Sequence, residues 1–194
     1  VLDRIGNEKD SLLCLDLLTG KELWSYSYEA PGKVDHDGSR SVPTIDGDYI
    51  YTCGTFGHVC CFDKDTHKLV WQKNVWTDFS GDKVPMWGIA QHLLIYNDTV
   101  ILASQTEKAG IVAYDKATGN VKWSSPALPG LVGYVSPKLV KIDGADQLIM
   151  ITACSKGAAP GGDGENEVLG AVLGMDPKSG QTLWTYREYR CKIP

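Results

Sequence analysis

Cys14-Leu-Asp16-Leu-Leu-Thr19-Gly20-Lys-Glu-Leu-Trp24 is the first of four copies of one eleven-residue phrase. The second reads Cys61-Phe-Asp63-Lys-Asp-Thr66-His67-Lys-Leu-Val-Trp71, and the third Ala113-Tyr-Asp115-Lys-Ala-Thr118-Gly119-Asn-Val-Lys-Trp123. The fourth is Gly174-Met-Asp176-Pro-Lys-Ser179-Gly180-Gln-Thr-Leu-Trp184. Successive aspartates lie 47, 52 and 61 residues apart. Recurrence near every fifty residues implies stacked supersecondary units, none able to bury its apolar faces alone. Asp-x-x-Thr/Ser-Gly is turn chemistry: the Asp and Thr oxygens accept bonds from nearby backbone N–H groups, and Gly supplies the positive φ. His67 replaces that Gly in the second copy, and His enters the left-handed region more readily than most residues. A large indole at a fixed offset reads as a wedge between neighbouring sheets.

Outward from the phrase, β-forming runs precede each Asp at 11–15, 58–62, 110–114 and 171–175. Further strands are expected at 40–45 and 49–54, 91–96 and 99–104, and 135–142 and 147–154. The turns Asp46–Asp48, Asn97–Asp98 and Asp143–Asp146 separate the members of each pair. The unit is strand, turn, strand, loop, strand, Asp-Gly turn, strand ending in Trp. Such meanders, repeated radially, are propeller blades, and no helical period competes. The expected fold is all-β: a β-propeller of four-stranded antiparallel blades, about four of them, over residues 1–194, ending near Trp24, Trp71, Trp123 and Trp184. Val1 reads as the tail of a second strand running through Arg4, and Cys191–Pro194 as the start of another inner strand. A segment of a larger ring is the simpler expectation, and a closed four-bladed ring the alternative.

The phrase resembles the tryptophan-docking motif of the PQQ-like, quinoprotein-type propeller repeat. That repeat occurs in quinoprotein alcohol dehydrogenases and in BamB-like outer-membrane assembly lipoproteins. Arg40-Ser-Val-Pro43-Thr-Ile-Asp-Gly47 and Trp87-Gly88 are similar to bacterial PQQ-binding-like repeat proteins. The resemblance implies an eight-bladed ring and a periplasmic or extracellular location. It is specific for architecture rather than activity, because members with and without PQQ share it.

Net charge is −5 with scattered Lys and Arg, which disfavours nucleic acid as the main ligand. No apolar run reaches transmembrane length. Six Cys occur without zinc-type spacing, so no structural metal site is expected. Cys53 and Cys60 would face one another across a hairpin closed by Phe56-Gly57, whereas a bulged loop would shift that register. The adjacent Cys60 and Cys61 alternate to opposite faces of a strand, as core residues do.

Meander geometry puts the inter-blade loops 26–40, 74–90 and 125–134 on one face with the hairpins 55–58, 105–109 and 155–169. Longer loops gathered on one side of a regular scaffold form the default binding surface. Arg40, Gln91 and Tyr134, at the starts of inner strands, are expected near the channel mouth. Trp76, Phe79, Met86 and Trp87 offer an aromatic platform or, as the blander reading, packing beneath their loop. Asp35-His36-Asp37 sets an imidazole between carboxylates, an arrangement usually just solvated. Gly161–Glu167 carries oxygen ligands without EF-hand spacing. Candidate ligand-binding residues are thus Arg40, Gln91, Tyr134, Trp87, Trp76 and His36, with no catalytic or metal residue assigned.

Two function classes follow. The favoured one is a non-catalytic extracytoplasmic scaffold that binds a protein partner or a small polar ligand, without a cofactor. The alternative, implied by the resemblance, is a PQQ- and calcium-dependent alcohol dehydrogenase. It would need a Glu–Asn–Asp calcium set that does not align in this sequence.

Overall fold

A computed structural model describes residues 1–36 and 38–192. The strands are β1 (Leu2–Ile5), β2 (Lys9–Leu15), β3 (Glu22–Glu29), β4 (Thr44–Asp46), β5 (Tyr49–Cys53), β6 (His58–Asp63), β7 (Leu69–Asn74) and β8 (Leu94–Tyr96). They continue as β9 (Thr99–Ala103), β10 (Ile111–Asp115), β11 (Val121–Ser124), β12 (Lys138–Ile142), β13 (Ala145–Ile151), β14 (Gly170–Met175) and β15 (Thr182–Tyr189). All ladders are antiparallel meanders: β4-β5-β6-β7, β8-β9-β10-β11, β12-β13-β14-β15 and a three-stranded β1-β2-β3. The first sheet departs from the four-stranded expectation because β1 takes the second-strand place in its meander.

The repeated phrases share one turn closed at positive φ. Asp16 Oδ1 accepts from the Thr19 backbone N–H (2.8 Å) and hydroxyl (2.7 Å), and Asp63 Oδ1 does the same for Thr66 at 2.7 and 2.8 Å. In the fourth copy Ser179 donates to Asp176 at 2.8 Å. Gly20, His67, Gly119 and Gly180 close the four turns at φ of 69, 60, 69 and 72°. A bulge follows in all four sheets, between Cys14/Leu15, Cys61/Phe62, Ala113/Tyr114 and Gly174/Met175. It places each Trp directly opposite a small residue: Cys14, Cys61, Ala113 or Gly174. Small partners leave room for the indole to lie over its own sheet.

The rings then reach the following turn. Trp24 stacks on His67 with centroids 4.3 Å apart and planes 18° from parallel. A side-chain carbon on Gly119 would meet Trp71 at 2.7 Å, and one on Gly180 would meet Trp123 at 2.5 Å. At Gly119 and Gly180 the glycine therefore serves two ends, positive φ and close approach of a ring.

The inner strands start later than the sequence suggested. They begin at Thr44, Leu94 and Lys138 rather than at residues 40, 91 and 135. Pro43 and Pro137 immediately precede two of them and lack the N–H that would extend the ladder. The third two-residue turn is Asp143-Gly144, both at positive φ (50 and 81°), so Ala145 and Asp146 already belong to β13. That is the geometry favoured in tight hairpins.

Contacts divide the chain into two compact units, one of residues 1–93 with 117–119, the other of 94–116 with 120–194. The first has a core of Leu2, Leu12, Tyr28, Ala30, Ile50, Cys60 and Phe62. The second has Ile101, Ala103, Ile111, Ala113, Leu148, Met150, Ala171, Leu173 and Met175. No disulfide joins the cysteines, so Cys53 and Cys60 remain thiols. The β5–β6 hairpin closes through Gly54-Thr55-Phe56-Gly57, so Thr52 faces Cys60 and Cys53 faces Val59. Cys60 and Cys61 are both wholly buried, Cys60 in the core of the first unit and Cys61 across from Trp71. Burial pushes both thiols up to about 12, which leaves them unreactive.

Candidate functional site

In the first unit, three connections come together as the loop-face reading requires: the β3–β4 loop, the β5–β6 hairpin tip and the β7–β8 loop. They line a groove of about 590 Å³, to which the first contributes Lys33, Val34 and Asp35, the hairpin tip Phe56, and the third Lys83 through Met86. Lys33, Asp35 and Lys83 are exposed, and Met86 presents most of its surface to solvent. An apolar strip flanked by two ammonium groups and one carboxylate, net positive at its rim, is suited to a ligand with an apolar body and acidic substituents. A second cleft of this unit, about 430 Å³, is lined almost entirely by apolar groups from Val1 and Leu12 to Trp24, Pro43 and Ile50. Its acidic lining residue, Asp16, is engaged in its own turn.

Arg4 supports the groove from below. Its guanidinium donates to Asp10 Oδ1 (2.8 Å), Ala30 O (2.9 Å) and Gly32 O (2.6 Å), and its central carbon lies 4.5 Å from the Phe56 ring centroid. The Arg4 and Asp10 side chains are 3% and 1% exposed. One planar cation thus fixes the start of the β3–β4 loop and the aromatic residue of the groove. Gly32, at φ 148°, lies against the same ring; a side-chain carbon there would be 2.3 Å from Phe56. Asn74 ties the third connection in, donating to Phe56 O (3.0 Å) while its Oδ1 accepts from the Trp76 and Thr77 N–H groups, both at 2.9 Å.

The residues anticipated from the sequence are distributed differently. Trp76 is buried, donates to Asp82 O at 2.9 Å and packs on Gly81, so it forms the core of its loop rather than a platform. Trp87 is half-buried one residue beyond Met86. Arg40 is half-buried and precedes its strand; it donates to Gly38 O (3.0 Å) and His36 O (2.8 Å), bracing its own loop. His36 is exposed, and its neighbour Asp37 lies outside the described residues. Gln91 is buried ahead of β8. Tyr134 belongs to the second unit, half-buried in a loop that the Gln105 amide clamps through Gly133 (3.0 and 2.9 Å). In the acidic loop, Asp163 caps the Glu165 N–H at 3.0 Å and Glu167 pairs with Arg190. Among the described residues no three His, Cys, Asp or Glu side chains converge as a metal site.

Sequence reading named the loops of the groove but missed Lys33, Lys83, Phe56 and the Arg4–Asp10 pair. No local pattern marks these residues; only the assembled blades bring them together.

Burial pushes the Asp10 carboxyl up, against the opposing pull of Arg4. Burial also holds the His58 imidazole below its ordinary 6.5, Arg4 adding to this while Asp10 and Asp78 oppose it. A depressed histidine makes the unfolded chain the better proton acceptor. The His58 contribution is therefore complete above about pH 6.5 and is lost as the pH falls through the folded value. Asp10 runs oppositely, its contribution growing as the pH falls toward 3.8. Urea midpoints measured from pH 7.5 to 5 should fall more steeply for the natural chain than for His58→Gln. Equal slopes would contradict the assignment.

A family model described as "Outer membrane protein assembly factor BamB" matches residues 8–190. The chain belongs to that family. Among curated proteins, quinoprotein alcohol dehydrogenase PedH of Pseudomonas putida is 26% identical to this chain over 184 residues, covering 92% of this chain and 28% of PedH. The dehydrogenase subunit of an alcohol dehydrogenase (quinone) from Gluconacetobacter polyoxogenes is 23% identical, over 90% of this chain and 30% of its own. Among solved structures, quinohemoprotein alcohol dehydrogenase from Comamonas testosteroni superposes with a TM-score of 0.63 at 18% identity, covering 97% of this chain and 34% of that one. BamB from Moraxella catarrhalis does so at 0.55 and 17%, covering 96% and 49%. At these identities the superpositions establish the β-propeller fold alone. The chain spans less than a third of the length of the curated relatives it matches.

Proposed function

We propose that this chain is a non-catalytic binding module of an extracytoplasmic propeller, and that its loop-face groove takes an extended acidic segment of a partner protein. The observation that carries this reading is the groove itself: an apolar strip from Phe56 to Met86 between the exposed ammonium groups of Lys33 and Lys83. An extended peptide would lay alternate side chains on the strip and bring its carboxylates to the rim. The family description, which names an outer-membrane assembly factor, supports both the binding role and a location outside the cytoplasm.

A fluorescein-labelled peptide of alternating Leu and Glu is the probe. It should bind the purified chain saturably, with an affinity that weakens as salt rises. Lys33→Glu with Lys83→Glu should weaken it about tenfold or more, from two rim charges worth on the order of 0.2–1 kcal/mol each and then reversed. Binding indifferent to both reversals would overturn the groove assignment.

The second reading, a PQQ-dependent alcohol dehydrogenase, is favoured by the names of the curated relatives. The described residues supply no converging acidic set for calcium.

A further inference from the structure

Cys154 and Cys191 are 37 positions apart in the sequence and meet within the second unit. The Cys154 N–H donates to the Cys191 carbonyl at 2.9 Å. A backbone bond between two residues holds their Cα atoms about 5–6 Å apart, inside the window of about 4.4–6.8 Å that a disulfide requires. The side chains share a neighbour as well. Burial raises the Tyr189 phenol, and the Cys191 sulfur in hydrogen-bond contact and the nearby Cys154 raise it further. Cys154 is buried at 2% exposure, whereas Cys191 is half-buried and can be reached from solvent. The other four cysteines are placed differently. Cys14 faces Trp24, Cys53 faces Val59, Cys60 faces Thr52 and Cys61 faces Trp71, so none has a cysteine in register with it.

We propose that Cys154 and Cys191 form a thiol–disulfide exchange site, which closes to a disulfide when the chain meets a small-molecule disulfide such as oxidised glutathione. The accessible Cys191 thiolate attacks one sulfur of the small disulfide, breaks its S–S bond and releases one thiolate, which takes up a proton. The Cys154 thiol then gives up its proton and attacks the Cys191 sulfur, displacing the second small thiol. Two protein thiols are oxidised, one small disulfide is reduced to two thiols, and two hydrogens pass from one to the other. Such a bond persists in oxidising compartments, which the proposed location outside the cytoplasm supplies. Its structural consequence lies at the 155–169 loop. Arg190 already donates to Ala158 O at 3.1 Å and pairs with Glu167, so this loop is held against the segment that follows β15. A Cys154–Cys191 bond fastens the base of the loop to that segment covalently. The site does not depend on what the groove binds.

Equilibration of the 194-residue chain in a buffer of reduced and oxidised glutathione, followed by acid quenching, alkylation and peptide mapping, tests it. The expected result is a loss of two of the six alkylatable thiols, with Cys154 and Cys191 recovered as one linked pair. The ratio of linked to open chain should be at least about tenfold higher for the folded protein than for the same chain in urea, because the fold has already closed the loop between the two sulfurs. Cys191→Ser, which alters only the half-buried member, should abolish the loss. Equal ratios with and without urea would overturn the proposal. So would glutathione left on Cys191 with Cys154 still alkylatable, a link from either residue to Cys14 or to a second chain, or a loss of two thiols that persists in Cys191→Ser.

Discussion

Trp71→Ala should lower the stability of the chain by about 3–5 kcal/mol, the usual range for truncating a buried large aromatic. Trp71 is only 7% exposed, lies opposite Cys61 and has Tyr51 6.1 Å away, centroid to centroid. Its ring also covers the Gly119 turn of the next repeat. Removing it opens a cavity on its own sheet and uncovers the following turn at the same time. Trp184 supplies the control. It is 39% exposed and donates to Gln147 at 2.7 Å, so Trp184→Ala should cost clearly less than Trp71→Ala, because less apolar surface is uncovered. Urea titration followed by circular dichroism measures both, and equal losses would contradict the role given to the indole.

Arg4→Ala should be comparably damaging, at about 3–5 kcal/mol, because it strands the Asp10 carboxylate in the interior. The pair itself adds little to stability, since desolvating two charges offsets most of their attraction. Arg4→Met combined with Asp10→Leu should therefore recover much of the loss. A pH signature separates this from simple loss of packing. Without Arg4 the folded state favours a protonated Asp10 still more strongly, so the variant should regain stability as the pH is lowered from 7 toward 5. A loss independent of pH, with no recovery in the double variant, would show that Arg4 acts through its aliphatic stem alone.

What was legible in the sequence was whatever short-range chemistry fixes. The Asp-x-x-Thr-Gly turns could be read because donor, acceptor and positive-φ residue lie within five positions. Even His67 was foreseeable as the exception, though not its stacking on Trp24. Strand starts were less legible, since residues 40–43 and 135–137 have strand composition but run into Pro43 and Pro137, which end the ladder. The Cys53–Cys60 register turned on one extra loop residue: the loop is Thr55-Phe56-Gly57, with Gly57 at positive φ, and the bulged shift sets Cys53 against Val59. The groove was the least legible part. Arg4, Gly32, Phe56 and Lys83 come from four separate segments, and none carries a signature that distinguishes it from an ordinary surface or strand residue. Arg40 illustrates the converse: a cation well placed in the sequence whose guanidinium turns back onto the carbonyls of its own loop.

The central claim is that this chain recognises a partner rather than oxidising a substrate, and dye reduction addresses it most directly. The purified chain should be incubated with PQQ and calcium, then given a primary alcohol and an artificial electron acceptor, with the alternating Leu–Glu peptide titrated into the same preparation. The account predicts saturable peptide binding and no alcohol-dependent reduction of the dye above the rate without protein. Sustained, calcium-dependent turnover would contradict it and establish the dehydrogenase reading in its place.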